Sequence, residues 1–229
     1  MKKLLISILF VLAGLFVVDR LGGMAMWWVC QHTHAVSAPK IKYLASDVYG
    51  EVVLMGTSRC NSHYVPSIIS DTLGCSVYNG GIDGSDNIFS HYITLNFILS
   101  KHKPKVICLE LMPSDFEKQP DPFSTISFFA PYFGKSEGAD SVFRLAGKYW
   151  EYRISHLYRY NAKAISNIAG LAINRNEGGD HGYLPNPQPA QYPTSLAHGF
   201  PITKVDSLKL KYVQKFIDLC RKTNIKLVF

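Results

Sequence analysis

Ser58, Cys60 and His63 fall within six residues of one another in VVLMGTSRCNSHY, residues 52–64. A serine hydroxyl becomes a useful nucleophile only when a base takes its proton and fixed N–H donors meet the oxyanion that forms. Ser58 follows a short run rich in β-branched residues and precedes a helical pattern. It therefore falls at a strand-to-helix junction, where it offers both its hydroxyl and its own N–H. Capping is the competing use: serine or asparagine at such a junction often closes the first turn of the next helix, and Ser58 and Asn61 both qualify. Cys60 is a second candidate nucleophile, with only Arg59 nearby to lower its pKa. His63, five positions after Ser58 on the expected helix, points away from the hydroxyl and is not expected to be its base.

Two further polar clusters, NGGIDGSDN (79–87) and MPSD (112–115), also follow apolar runs. If all three runs are strands of an open parallel sheet, the clusters share its carboxyl edge, where such sheets bind ligands. Arg59 then either orients an anionic substrate or pairs with Asp115 or Asp83. Asn61 and Asp115 complete the candidate substrate contacts. His181 and His198 lie in a long Gly/Pro/Asn-rich stretch, where solvation is the ordinary expectation and a place in a lid the sharper one. The glycines at 80–84 read weakly as a phosphate nest, because neither G-x-G-x-x-G nor a Walker lysine accompanies them. No metal-ligand spacing emerges, and the five scattered cysteines contain no C-x-x-C.

The elements that must position these clusters read as alternating strands and helices. EVVLMG (51–56), CSVYNGG (75–81) and KVICLEL (105–111) have strand character. Residues 61–73 and 85–101 carry helical spacing between them, the second with Ser85 or Asp86 as N-cap. Residues 206–222 and the terminal NIKLVF repeat the helix–strand pattern. This alternation predicts a parallel sheet covered by helices. The middle differs: 121–134 is aromatic and irregular, and 140–172 carries a long, aromatic-rich helical pattern. That pattern reads first as a packing surface and second as a sugar-binding platform. The final pattern stops inside a strand, so the chain is expected to continue in a longer form.

The N-terminus sets the setting. MKK precedes fifteen uncharged, mostly apolar residues, Leu4 to Val18, followed by Asp19 and Arg20. At 1.5 Å per residue the run spans about 22 Å, short of a bilayer core of ~30 Å. A second apolar patch with Trp27 and Trp28 follows, and no A-x-A cleavage site lies close by. An uncleaved signal anchor over residues 1–30 is favoured over a cleaved peptide, with the remainder outside the cytoplasm. The 229 residues leave room for one domain at 31–229, with an insertion at about 117–203. The net charge of +7, from 24 Lys and Arg against 17 Asp and Glu, is dispersed, which argues against nucleic acid as a partner.

With GTS at 56–58, the glycine loop at 79–84 and the third cluster at 112–115, the layout resembles the SGNH/GDSL hydrolase superfamily. The likeness is closest to its membrane-anchored, exported members that handle acyl groups on cell-surface polymers. It covers about residues 50–115 and the last helix and strand. It implies a flavodoxin-like three-layer α/β sandwich behind an N-terminal transmembrane helix, and no cofactor. It also implies Ser58 as nucleophile and an oxyanion hole built from the Ser58 N–H, Gly81 (first choice) or Gly84 (second), and Ser114. Ser114 stands where the family usually has asparagine. The family's Asp and His come from a D-x-x-H block after the last strand, expected here beyond residue 229. The resemblance points to an esterase or O-acyltransferase acting on an acylated envelope glycan or small ester. The alternative is a catalytically incomplete relative that binds glycan or serves envelope assembly.

Overall fold

The computed structural model describes residues 1–85, 87–173, 179–185 and 204–229, and of Ser114 the backbone only. Helix α1 runs unbroken over Lys2–His32, and α2 covers Ala38–Ser46. The alternating unit then begins: β1 (Val52–Met55), α3 (Ser58–His63), α4 (Pro66–Leu73), β2 (Val77–Asn79), α5 (Ile88–Leu99) and β3 (Val106–Leu109). After the insertion, which holds α6 (Glu137–Leu145), α7 (Tyr149–Ile154) and α8 (Ala164–Ala169), come α9 (Ser207–Lys222) and β4 (Lys226–Val228).

The four strands form one parallel sheet in the order β2-β1-β3-β4. That is the order of the first four strands of a flavodoxin-type doubly wound sheet, whose chain reverses direction across the sheet between β1 and β3. Both faces of β1 are buried, as its unbroken VVLM run requires. Val53 and Met55 join Ile107 and Leu109 in a core with α2, α5 and α9, where Phe89, Ile93 and Phe216 are fully buried. Val52, Leu54 and Val77 face the other way, onto Cys60 and Ile69 of α3 and α4.

Local chemistry accounts for the element ends. The single helix expected over 61–73 is two helices, because Pro66 lacks an N–H and pushes Val65 out of helical conformation (ψ 108). Gly74 closes α4 in the left-handed region (φ 64), its N–H donating to Ser70 O at 2.8 Å. Asn87 caps α5, its side chain accepting from the Ser90 N–H at 3.1 Å. Of the two expected caps, Ser85 instead donates to Ile82 O, and Asp86 lies outside the described residues. The helical pattern at 140–172 is broken into short pieces, with Gly147 in the left-handed region (φ 71) between α6 and α7. Its aromatics pack on one another: Phe143 meets Tyr152 edge-on at 5.4 Å, and Phe133 meets Tyr149 at 5.3 Å. They form the inside of the insertion, which leaves only Trp150 well exposed among them.

Helix α1 has two unlike halves. The helix as a whole, 31 residues, is long and apolar enough to cross a membrane, and its residues Leu4 to Val18 are exposed. From Asp19 onward the helix docks on the domain, across the boundary expected at residue 30. Asp19 accepts from the His156 N–H at 2.9 Å and the Leu157 N–H at 3.1 Å, and also from the Ser155 hydroxyl. Gly23 allows the closest approach; a Cβ there would lie 2.5 Å from His156 Cβ. Trp27, in the second apolar patch, packs edge-on against Tyr132 at 5.5 Å, whereas Trp28 stays exposed and stacks on His32.

Candidate active site

The site lies at the carboxyl ends of β1 and β3, the reversal point of the sheet. β1 delivers the chain to Gly56, whose missing Cβ makes the site possible. A Cβ there would lie 2.6 Å from Cys60 Cβ and 2.8 Å from Glu110 Oε2. Thr57, buried, is the N-cap residue of α3 without a side-chain cap bond, and Ser58 is the first helical residue. The Ser58 side chain is exposed, and its hydroxyl makes no hydrogen bond to any described residue. The capping use therefore does not occur at Ser58. Nor does Asn61 cap: α4 is capped from outside by Asp180, whose Oδ2 accepts from the Ser67 N–H at 3.1 Å.

Beside Ser58 lies a buried polar network. Lys40, on α2 and only 5% exposed, donates to Asn61 Oδ1 and to Gly81 O, the latter at 2.8 Å. Asn61 Nδ2 donates to Asp83 Oδ1 at 2.8 Å. Asn79, fully buried at the end of β2, donates to the Cys60 and Tyr64 carbonyls at 2.7 and 2.8 Å, and its Oδ1 accepts from the Gly81 N–H at 3.0 Å. These bonds tie the glycine loop to α3 and α2.

Three of the expected site residues are engaged elsewhere. Asn61, expected to touch substrate, is buried and turned inward. The N–H of Gly81, first choice for the oxyanion, is committed to Asn79. This glycine is instead required by crowding, since a Cβ there would lie 2.4 Å from Asn61 N. Asp115 is buried within a short 3-10 turn, Pro113–Phe116, where it accepts from the Met112 N–H. Gly84 behaves differently from Gly81. It is exposed, left-handed (φ 75), and its N–H makes no bond to a described residue. Ser114 belongs to the Pro113–Phe116 turn.

Arg59 pairs with Glu110, at 3.0 Å, rather than with Asp115 or Asp83. The sequence carries a signal for this pair: Glu110 is the one charged residue at the end of an otherwise apolar strand, and β1 and β3 are neighbours. Cys60 is buried, and burial together with the nearby Glu110 carboxylate pushes its thiol up to about 12, so it stays protonated and inert at neutral pH. His63 is exposed. His181 sits, exposed, on a segment fastened to α3 through the Leu184 N–H and Asn61 O at 3.1 Å. His198 lies outside the described residues.

Two cavities adjoin the site. One of about 180 Å³ runs from Glu110, Tyr64 and Cys60 down the sheet face to Cys108 and Phe229. The other, about 280 Å³ and mostly apolar, is lined by Ile41, Phe128, Tyr132 and Lys163. Phe128 also stands at the position a Gly84 Cβ would touch, 3.4 Å away, so it borders both the second cavity and the glycine loop. Among the described residues, no group of three His, Cys, Asp or Glu side chains could hold a metal ion. No protein-family model, curated protein or solved structure matches this chain.

Proposed function

We propose that the chain is an SGNH-type serine hydrolase, an esterase or O-acyltransferase, acting on ester-linked acyl groups of an envelope glycan or a small ester. In this reading the domain is a flavodoxin-like three-layer sandwich held outside the cytoplasmic membrane by α1, with Lys2 and Lys3 on the cytoplasmic side. The observation that carries the reading is the exposed Ser58 hydroxyl, unbonded among the described residues, at the reversal point of the parallel sheet.

Ser58 Oγ attacks the acyl carbonyl and its proton passes to a base. The oxyanion that forms is met by the N–H groups of Ser58 and Gly84. The alcohol then leaves, and water or a sugar hydroxyl takes the acyl group from Ser58. Arg59, held by Glu110, borders the leaving side, and the cavity beyond Phe128 gives room for an acyl substituent. The base is required by the chemistry, and no described histidine is bonded to Ser58.

A fluorophosphonate probe tests this on the full chain in membranes. Labelling that disappears in Ser58→Ala supports the reading; labelling unchanged in Ser58→Ala refutes it. The second reading is a glycan-binding or assembly subunit on the same scaffold. It is favoured by the commitment of the Gly81 N–H to Asn79, which removes one expected oxyanion donor. Absence of labelling, with binding of an acetylated glycan retained in Ser58→Ala, would establish it.

A further inference from the structure

We propose that the face of the insertion beside α1 lies in the headgroup layer of the bilayer, so that the domain rests on the membrane rather than standing off it. This rests on α1 crossing the membrane. Its occupant is the lipid interface, and three observations point there.

The first is continuity. The apolar run of α1 ends at Val18, and the domain begins without a linker. Arg20 Nη2 donates to Ile154 O at 3.1 Å, and Gly22 packs under Leu157, with a Cβ position 3.2 Å from Leu157 Cδ1. At 1.5 Å per residue, these contacts stand only about 3 and 6 Å beyond Val18 along the helix. An interfacial layer is about 5–7 Å deep on each side of the hydrocarbon.

The second is composition. Trp150 and Ile154, one turn apart on α7, are 67% and 70% exposed, and Leu157 follows at 39%. Three large apolar side chains so exposed beside a membrane helix have the amphipathic character of interfacial anchors, with tryptophan the residue most at home there. The surrounding charge is basic: Arg144, Lys148, Arg153 and Arg159 against Glu151 within residues 144–160. That balance suits an anionic leaflet.

The third is length. A run of about 22 Å falls short of a hydrocarbon core of ~30 Å. A short span draws its flanks toward the hydrocarbon. The flank here is the surface at 150–157, fixed to α1 by the three bonds that Asp19 accepts from Ser155, His156 and Leu157.

The test uses the full chain in phosphatidylcholine–phosphatidylglycerol vesicles. An environment-sensitive fluorescent amino acid replaces Val11, Ile154 or Asp71 singly; all three positions are exposed in the structure. Quenching is measured with aqueous iodide and with lipid carrying a shallow nitroxide. The expected result is lipid quenching at 11 and 154, and iodide quenching roughly threefold weaker at 154 than at 71. If position 154 matches 71 while 11 remains lipid-quenched, α1 spans but the domain stands off, and the proposal fails. If 154 is shielded from iodide without lipid quenching, a second copy of the chain covers this face, and the proposal fails. If 11 itself is open to iodide, the membrane span fails and takes the proposal with it.

Discussion

The loops around Ser58 and the insertion behind them solve the same problem by opposite means. Around Ser58, buried polar groups hold one another: Lys40, Asn61, Asp83, Asn79 and Gly81 form a chain of directional bonds, and the Ser58 side chain is exposed beside them. In the insertion, Phe133, Phe143, Tyr149 and Tyr152 hold one another through ring faces and edges. A bonded network fixes atoms to within a few tenths of an ångström but depends on every member, because an orphaned buried partner bears its full desolvation cost. An aromatic cluster depends on volume and tolerates changes that conserve it. The difference fits the uses proposed for them: one aims a hydroxyl, the other carries a membrane-facing surface.

Substitutions that remove volume and substitutions that remove a bond separate the two regions. The largest effect belongs to the insertion: Phe143→Ala, at a fully buried ring, should cost about 3–5 kcal/mol of unfolding free energy, whereas Phe143→Leu should cost much less. Next is Lys40→Met, which nearly conserves volume. It should still cost about 2–4 kcal/mol, because Asn61 Oδ1 and Gly81 O lose their donor. Both are read from denaturant unfolding of the detergent-solubilised chain. A Lys40→Met cost as small as that of Phe143→Leu would erase the distinction between bonds and volume.

A pH titration sharpens the comparison within the core. His91 on α5 is fully buried without a hydrogen-bond partner for Nε2 among the described residues, and burial lowers its pKa from 6.5 to about 4. The folded state therefore binds fewer protons than the unfolded state between those values. Its contribution to stability is complete above about pH 6.5 and is lost as pH falls toward 4. His91→Gln should flatten that slope in pH-dependent thermal unfolding, and an unchanged slope would place the titration elsewhere. The smallest effect is expected at Arg59→Ala. The Arg59–Glu110 pair is partly exposed and should contribute less than about 1 kcal/mol to stability. In the proposed enzyme the same change should raise KM for an anionic ester more than it lowers kcat.

Much of the framework was legible in the chain itself. The β-branched runs at 52–55 and 106–109, the Asp206 cap of α9 and the apolar N-terminal run all announce their elements through neighbours in sequence. The sequence places the cap of α5 one to two residues early, since Ser85, Asp86 and Asn87 all have capping side chains and only the loop path selects among them. Helix α2 is short and precedes the alternating strands and helices. Its buried Lys40 looks like a solvent residue until Asn61 and Gly81 are brought to it.

The sequence by itself determined the order of strands and helices, the loop that presents Ser58 and the apolar helix ahead of the domain. Periodicity, β-branching and turn chemistry act between adjacent residues and can be read in order. Tertiary structure alone selected Glu110 over Asp83 and Asp115 as the partner of Arg59, set Asn61 against Lys40 and aimed the Asn79 side chain at the Cys60 and Tyr64 carbonyls. Those contacts join positions at least 15 residues apart, and no local pattern encodes them. They form only when β2, β1 and β3 lie side by side in parallel register and their loops meet at one edge.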